Sequence, residues 1–439
     1  MGRRAAMTAT SEYRSTSWWR TASPPPPTAP LNADLSVDVA VIGAGMTGLT
    51  AAWHLARQGA RVAVLEAEAI GSGASGVNAG FVVPNFAKVD PAAVLARLGK
   101  ERGKRLLALI GAGADRVFAT VRDQAIDCDA EQVGWMQVAH TDAMLAILRR
   151  RAEDWQALGR PVRMLSADEA RRRTSLRFCA GALLDASGGM LHPLSYVRGL
   201  ARIAIGAGAV VFEKAGVQSI ERKGAGWRLG VDRHSVEADK VLLCTNAAEY
   251  GIARQLSRSV VPLPVYQLAT KPLPHGVAER IAPGRHPIAD TRANLFTYRL
   301  DRDNRLISGG VAMVPLGAHE RMARMITRRL MRELGLVEMP ALDHVWRGTA
   351  AMTTDFLPHL YELGPGFIGG IGCNGRGIAL TAMLGEVLAQ AASGARLDEL
   401  PIPLAKARPI PFHLLARAAP SVAIAQAKWQ DHLSIRGHS

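Results

Sequence analysis

The chain alternates short β-branched runs with longer stretches of helical periodicity. Val37–Ile42 has the pattern of a buried strand, Met46–Gln58 that of an apolar helix, and Arg61–Glu66 that of a second strand. Further strands are expected at Val210–Phe212, Gly216–Ile220, Trp227–Val231 and Lys240–Cys244. Leu295–Leu300 and Arg305–Gly309 flank a polar Asp301-Arg302-Asp303-Asn304 turn, which predicts a β-hairpin. Gly366–Gly370 reads as a late strand and Ile378–Ala391 as a late helix. Strands mixed with helices throughout predict an α/β architecture, α+β overall. No stretch of about 18 uncharged apolar residues occurs, so no membrane span is expected. The nearest candidate, residues 37–56, contains Asp38, His54 and three glycines.

Composition narrows the class. Of 439 residues, 48% are apolar and 21% charged, which excludes a disordered, collagen-like or coiled-coil chain. The four cysteines lie at least 51 residues apart, so neither a metal clip nor a disulfide framework is expected, and a reducing, cytoplasmic setting is. The 53 Lys and Arg outnumber the 38 Asp and Glu by 15. Such a balance suits acidic partners, but the arginines are spread along the chain, so nucleic acid is not expected. The runs Arg149–Arg151 and Arg171–Arg173 are read as solvated helix faces. Residues 1–36 read as an N-terminal extension with a stiff Pro24–Pro27 step. It lacks the apolar core of a secretory signal; a plain extension is preferred over a transit peptide. Trp18-Trp19 is expected to pack on the body. The basic, amphipathic stretch 405–430 is read as a helix packed across it.

The strongest motif is Gly43-Ala44-Gly45-Met46-Thr47-Gly48, a G-x-G-x-x-G sequence between the first strand and the first helix. Gly43 permits the tight turn, Gly45 lets a pyrophosphate approach the backbone, and Gly48 lets the helix press on the sheet. The helix N-terminus offers unpaired N–H groups and a positive dipole end. Glu66 closes the second strand 18 residues after Gly48, where an acid accepts ribose hydroxyls and repels a 2′-phosphate. Context on all four sides makes this a Rossmann-like dinucleotide site. The glycine- and serine-rich run Gly71–Gly80 adds a second backbone approach to a long cofactor.

With these motifs in place, the sequence resembles the FAD-dependent D-amino acid oxidase (DAO) superfamily over roughly residues 18–392. The family's first FAD site matches Gly43, Ala44, Gly45, Met46, Thr47, Gly48, Glu66 and Ala67. Its flavin loop matches Gly73, Ala74, Ser75, Asn78, Ala79 and Gly80. Val217 stands where the family's adenine-contacting valine stands, and Thr245, Asn246 and Ala247 at the strand end beside the adenosine. Gly348 lies in the late flavin segment, and Gly372, Asn374, Gly375, Arg376, Gly377 and Ile378 in the loop and helix start at the flavin ring. The resemblance implies an FAD-binding domain built from 37–85, 190–250 and 345–395, interleaved with an antiparallel-sheet substrate domain from 86–189 and 251–344. Residues 396–439 would pack on the body. Cysteine and histidine are missing from the two places where some relatives attach flavin, so non-covalent FAD is expected.

The resemblance also implies the chemistry: oxidation of the C–N bond of a small amine or amino acid by hydride transfer to flavin N5, giving an imine that hydrolyses, with O2 or another electron acceptor closing the cycle. Arg299 is expected to grip a substrate carboxylate with Tyr298 beside it, because guanidinium matches carboxylate bidentately. Strand alternation allows only one of the two to face the pocket. Arg376, where relatives commonly have histidine, is expected to add positive charge at the flavin. Tyr266, His192, Cys373 and Trp346 are read as structural. The alternatives are a tRNA-modifying flavoprotein, or a non-catalytic flavin-binding subunit of a larger dehydrogenase.

Overall fold

The computed structural model describes residues 21–176, 178–248, 252, 254–312, 316–413 and 426. The Trp18-Trp19 pair and most of the segment 405–430 lie outside the described residues. Helices are α1 (Met46–Arg57), α2 (Ala74–Val77), α3 (Pro91–Leu98), α4 (Lys100–Gly111), α5 (Gly113–Asp123) and α6 (Asp142–Ala157). They continue as α7 (Ala167–Thr174), α8 (Pro193–Gly206), α9 (Arg254–Ser257), α10 (His275–Ile281), α11 (Ala318–Leu334) and α12 (Gly377–Ala392).

The first sheet contains β1 (Leu35–Ile42), β2 (Val62–Leu65), β8 (Val210–Phe212), β9 (Ser219–Lys223), β10 (Gly226–Val231), β11 (His234–Leu243), β17 (His359–Gly364), β18 (Phe367–Ile371) and β19 (Leu404–Ala405). Its parallel centre runs β18-β11-β1-β2-β8. Parallel strands must be covered on both faces. Here α1, α8 and α12 cover one, through Val39, Val41, Val62 and Val64. Trp227 and Leu229 of the β9–β10 ribbon cover the other, through Ala40, Ile42 and Leu65.

The second sheet has the order β16-β12-β15-β14-β13-β4-β6-β5. Its strands are β4 (Trp135–Ala139), β5 (Val162–Leu165), β6 (Gly181–Asp185), β12 (Val261–Pro272), β13 (Ile288–Asp290), β14 (Thr297–Leu300), β15 (Arg305–Val311) and β16 (Leu342–Met352). Alternation divides its faces. Met136, Leu268, Tyr298 and Leu306 join the outer core beneath α10 and α11, while Ala269, Ile307 and Trp346 pack on Val77 and Ala79 of the glycine-rich loop. A two-strand link, β3 (Phe81–Val82) with β7 (Gly189–Met190), ties that loop to the start of α8.

Three features depart from the expected layout. Helices α3, α4 and α5 pack in one core with α1, α8 and α12, with Gly113 against Ala379 and Met383 of α12, and the same core takes in Trp135 and Leu183 of the second sheet and Trp155 of α6. Strand β16 belongs to the second sheet along its whole length to Met352, where it pairs with Val261, so a boundary at 345 would cut it. The expected strand 216–220 begins only at Ser219, leaving Gly216–Gln218 as a loop. Arg151 also leaves the solvated role expected of its run: it donates to Asp90 and Gln137 at the base of β4. The described part of the extension lies along α8, where Ser23 N donates to Ser195 Oγ and Arg198 and Arg202 donate to the Ser23 and Pro24 carbonyls.

Candidate active site

The glycine motif makes the close approaches expected of it. Gly43 has φ +105°, and a Cβ there would stand 2.9 Å from the Cys244 carbonyl oxygen; at Gly48 it would stand 2.1 Å from the Gly43 oxygen. A side chain at either position would strike backbone, so the strand–turn–helix junction admits glycine alone. Met46 N, at the start of α1, donates to Ser75 Oγ at 3.0 Å, and the Thr381 hydroxyl, one turn into α12, reaches the Met46 sulfur at 3.7 Å. Met46 thus joins the N-terminal turns of α1 and α12 to the glycine-rich loop. The leading amides of both helices lack partners inside their own helix, and two positive dipole ends converge there.

Glu66 sits beside this junction. Its carboxylate accepts from Ala44 N at 2.8 Å and Glu68 N at 2.9 Å. Burial, helped by the charges of Glu68 and Glu213, raises its pKa against those two hydrogen bonds. Ala67 and Val217 flank it, since Ala215 N bonds the Glu66 carbonyl and Gly216 lies against Ala67. Thr245 follows the end of β11 beside Gly43, and its buried hydroxyl has no hydrogen-bond partner among the described residues. Asn246 adopts φ +52° and turns the chain toward the Thr349 carbonyl, with Ala247 buried behind it.

Several residues named for the cofactor shape its loops instead of pointing outward. Asn78 donates to the carbonyls of Ala74 and Ser75 and accepts from Gly80 N, so it closes the 73–80 loop on itself. Asn374 at φ +48° accepts from Thr353 N and donates to the Gly372 carbonyl, fastening the last glycine loop to the end of β16. A Cβ at Gly348 would stand 3.0 Å from Val77 Cγ2, a tight contact that Val77 would have to shift to accommodate. Beside Gly73, Gly375 and Gly377 a Cβ would meet nothing within 4 Å. The backbone is therefore uncovered at Gly73 and at the start of α12, while Ile378 behind it is buried.

The three residues expected to act on substrate go to different places. Tyr298 faces the outer core, where its hydroxyl donates to the Thr174 and Ile281 carbonyls; it is a packing residue turned away from the loops. Arg299 faces the loops but is 3% exposed. Its guanidinium donates to the Ala79 carbonyl at 2.5 Å and to the Leu191 carbonyl at 3.3 Å. Burial pulls its pKa down to about 10. The hairpin therefore places Arg299 beneath the 73–80 loop, donating to the backbone carbonyls of Ala79 and Leu191 and reaching the Met190 sulfur. Arg376 caps the start of α12 and lies 4.7 Å from the Trp135 ring centroid. No acid pairs with it among the described residues; burial, together with the like charge of Arg151, brings it down to about 9. Tyr266 packs edge-on against His319 of α11, and His192 caps α8 by accepting from Ser195 N. Trp346 donates to the Val77 carbonyl.

A model of the DAO family, "FAD dependent oxidoreductase", matches residues 38–391. The chain belongs to the DAO family of FAD-dependent oxidoreductases. Among curated relatives, the γ-glutamylputrescine oxidoreductase of Escherichia coli (strain K12) is 28% identical over 418 residues, 93% of this chain and 97% of that protein. Among solved structures, glycine oxidase from Geobacillus kaustophilus superposes with TM-score 0.66 at 24% identity, covering 83% of this chain and 96% of that one. L-proline dehydrogenase from P. horikoshii gives 0.70 at 17% identity, covering 84% and 96%. The DAO-family cofactor fits this site on three observations: the close backbone contacts at Gly43 and Gly48 that admit no Cβ, the unpartnered Thr245 hydroxyl beside them, and the uncovered backbone at Gly73, Gly375 and Gly377. No helix among the described residues is long and apolar enough to cross a membrane.

Sequence reasoning passed over Trp135 and Gln267. Trp135, on β4, lies beneath Arg376, 241 residues further along the chain. Gln267 is an amide in an otherwise apolar strand, Tyr266-Gln267-Leu268-Ala269, and that interruption was the available signal.

Proposed function

We propose that this DAO-family oxidoreductase oxidises the C–N bond of a small amine or amino acid on non-covalently held FAD, yielding an imine that water hydrolyses. FAD, when bound, supplies the hydride acceptor at N5 and passes electrons on to O2 or another acceptor. The rest is the work of this chain. The α1 N-terminus and Glu66 would hold the diphosphate and ribose, with Ser75 bridging the two loops. The amides of Gly377 and Ile378 at the α12 N-terminus and the Arg376 guanidinium would supply positive potential to a flavin held there. The second sheet supports the 73–80 loop through Ala269, Ile307 and Trp346.

The observation that carries the reading is the 73–80 loop held between the α1 and α12 N-terminal turns on one side and the inner face of the second sheet on the other, in a chain similar along its length to an amine oxidoreductase. Four free thiols support a cytoplasmic setting. The test is turnover of γ-glutamylputrescine, sarcosine and D-alanine in air and with an artificial acceptor under argon, reading peroxide, acceptor reduction and the carbonyl product. Carbonyl formed with either acceptor is the expected result. A protein that carries FAD yet yields no carbonyl from any amine would refute the reading.

A further inference from the structure

Strand β12 presents one polar side chain to the face that meets the glycine-rich loop. Its neighbours fix the direction: Tyr266 and Leu268 belong to the outer core, and Ala269 packs on Val77 and Ala79. Gln267 therefore shares the inner face, and its register partners there are Trp346 on β16 and Gly309 on β15. It is 9% exposed. Its Oε1 is enclosed and has no hydrogen-bond partner among the described residues. The amide lies flat over Gly309, where a Cβ would fall 2.3 Å from Oε1 and 2.9 Å from Nε2. A buried amide oxygen without a partner costs on the order of 1–3 kcal/mol, a cost that a donor brought to it would relieve.

We infer that Gln267 accepts a hydrogen bond from the substrate nitrogen, orienting the amine beside the 73–80 loop and selecting its uncharged form. The inference rests on the amine-oxidising reading above. The chemistry of the face favours the free base. Strand positions on this face between Trp346 and Trp135 carry no carboxylate; the charged side chain of the face is Arg299, two strands from Gln267 on β14, with Asp301, Glu131 and Asp129 around it. A neutral acceptor holds an N–H without stabilising the extra proton, and oxidation needs the nitrogen lone pair free. Gly309 is what makes this possible, because any side chain there would push the amide off the sheet.

The test uses the FAD-loaded protein and the amines γ-glutamylputrescine, sarcosine and D-alanine. Binding is measured by calorimetry to the dithionite-reduced form, where no turnover occurs, and reduction by anaerobic rapid mixing. Gln267→Leu should weaken amine binding about five- to tenfold, the worth of one hydrogen bond, with FAD content unchanged. Gln267→Glu should hold the amine protonated, moving the pH profile of flavin reduction to higher pH. Gly309→Ala, which displaces the amide without removing it, should repeat the binding loss and serves if Gln267→Leu does not fold. If wild type oxidises an amine while these variants bind it equally and keep the same pH profile, the inference is overturned alone; a fall in thermal stability with unchanged binding would assign Oε1 to a structural water and overturn it too. If wild type binds and oxidises none of the amines, the function falls and the inference with it.

Discussion

Replacing Arg299 with methionine separates a carboxylate clamp from a loop anchor. The side chain is buried, and its Nε donates to the Ala79 carbonyl at 2.5 Å. A charge-assisted bond of this kind contributes about 1.5–3 kcal/mol. Against that stands the cost of burying the cation: a guanidinium brought down to about 10 from an ordinary value near 12.5 is held charged at a penalty of roughly 3 kcal/mol. Methionine removes both, so the global stability of R299M should change by no more than about 1–2 kcal/mol. The loop is affected differently. Ala79–Gly80 loses its anchor, and ordering the loop on FAD must then supply the missing 1.5–3 kcal/mol, which converts to roughly ten- to hundredfold weaker FAD binding. The assay is fluorescence titration of the apoprotein with FAD beside a thermal melt of the same apoprotein. Unchanged FAD affinity, with lost discrimination between carboxylate-bearing and carboxylate-free amines, would refute the anchor and restore the clamp.

Gly48→Ala should lower the apoprotein's melting temperature and abolish FAD retention, because its Cβ would stand 2.1 Å from the Gly43 carbonyl; overpacking against backbone costs about 1–3 kcal/mol. Glu66 is raised by burial, so the proton it binds favours the folded apoprotein. Relative to Glu66→Gln, wild-type apoprotein should lose stability as pH rises from the ordinary glutamate range through the raised value, which melts across pH 4–7 would report. Burial pushes the Cys128 and Cys244 thiols up to about 12, so a thiol reagent at neutral pH should label Cys373 first among the four, and bound FAD should slow that labelling. Acid precipitation should release the FAD into the supernatant, and flavin retained on the denatured chain would contradict non-covalent binding.

The first half of the site was legible because its demands are local. A strand, a glycine turn and a helix start sit within fourteen residues, and the close contacts at Gly43 and Gly48 follow from that geometry alone. The hairpin at 297–311 was legible for the same reason, but its facing was not. Alternation says that Tyr298 and Arg299 point opposite ways; only the docking of the second sheet on Val77 and Ala79 decides which one meets the loop. Depth was hidden as well. A guanidinium that grips backbone and one that grips substrate have the same sequence signature. Helices α3–α5 carry ordinary amphipathic patterns, and their place against α12 is a long-range contact with no local sign. The Arg376–Trp135 stack and the enclosed Gln267 amide likewise depend on strands far apart in sequence coming into register.

The most direct test of the central claim is anaerobic addition of γ-glutamylputrescine, sarcosine and D-alanine to the purified FAD-loaded protein while its visible spectrum is followed. Loss of the flavin band near roughly 450 nm, a property of the cofactor, is the result expected from at least one amine, with colour returning when an acceptor is admitted. A yellow protein that none of the amines bleaches would contradict amine-to-flavin electron transfer, and an apoprotein that cannot be reconstituted with FAD would contradict the cofactor site itself.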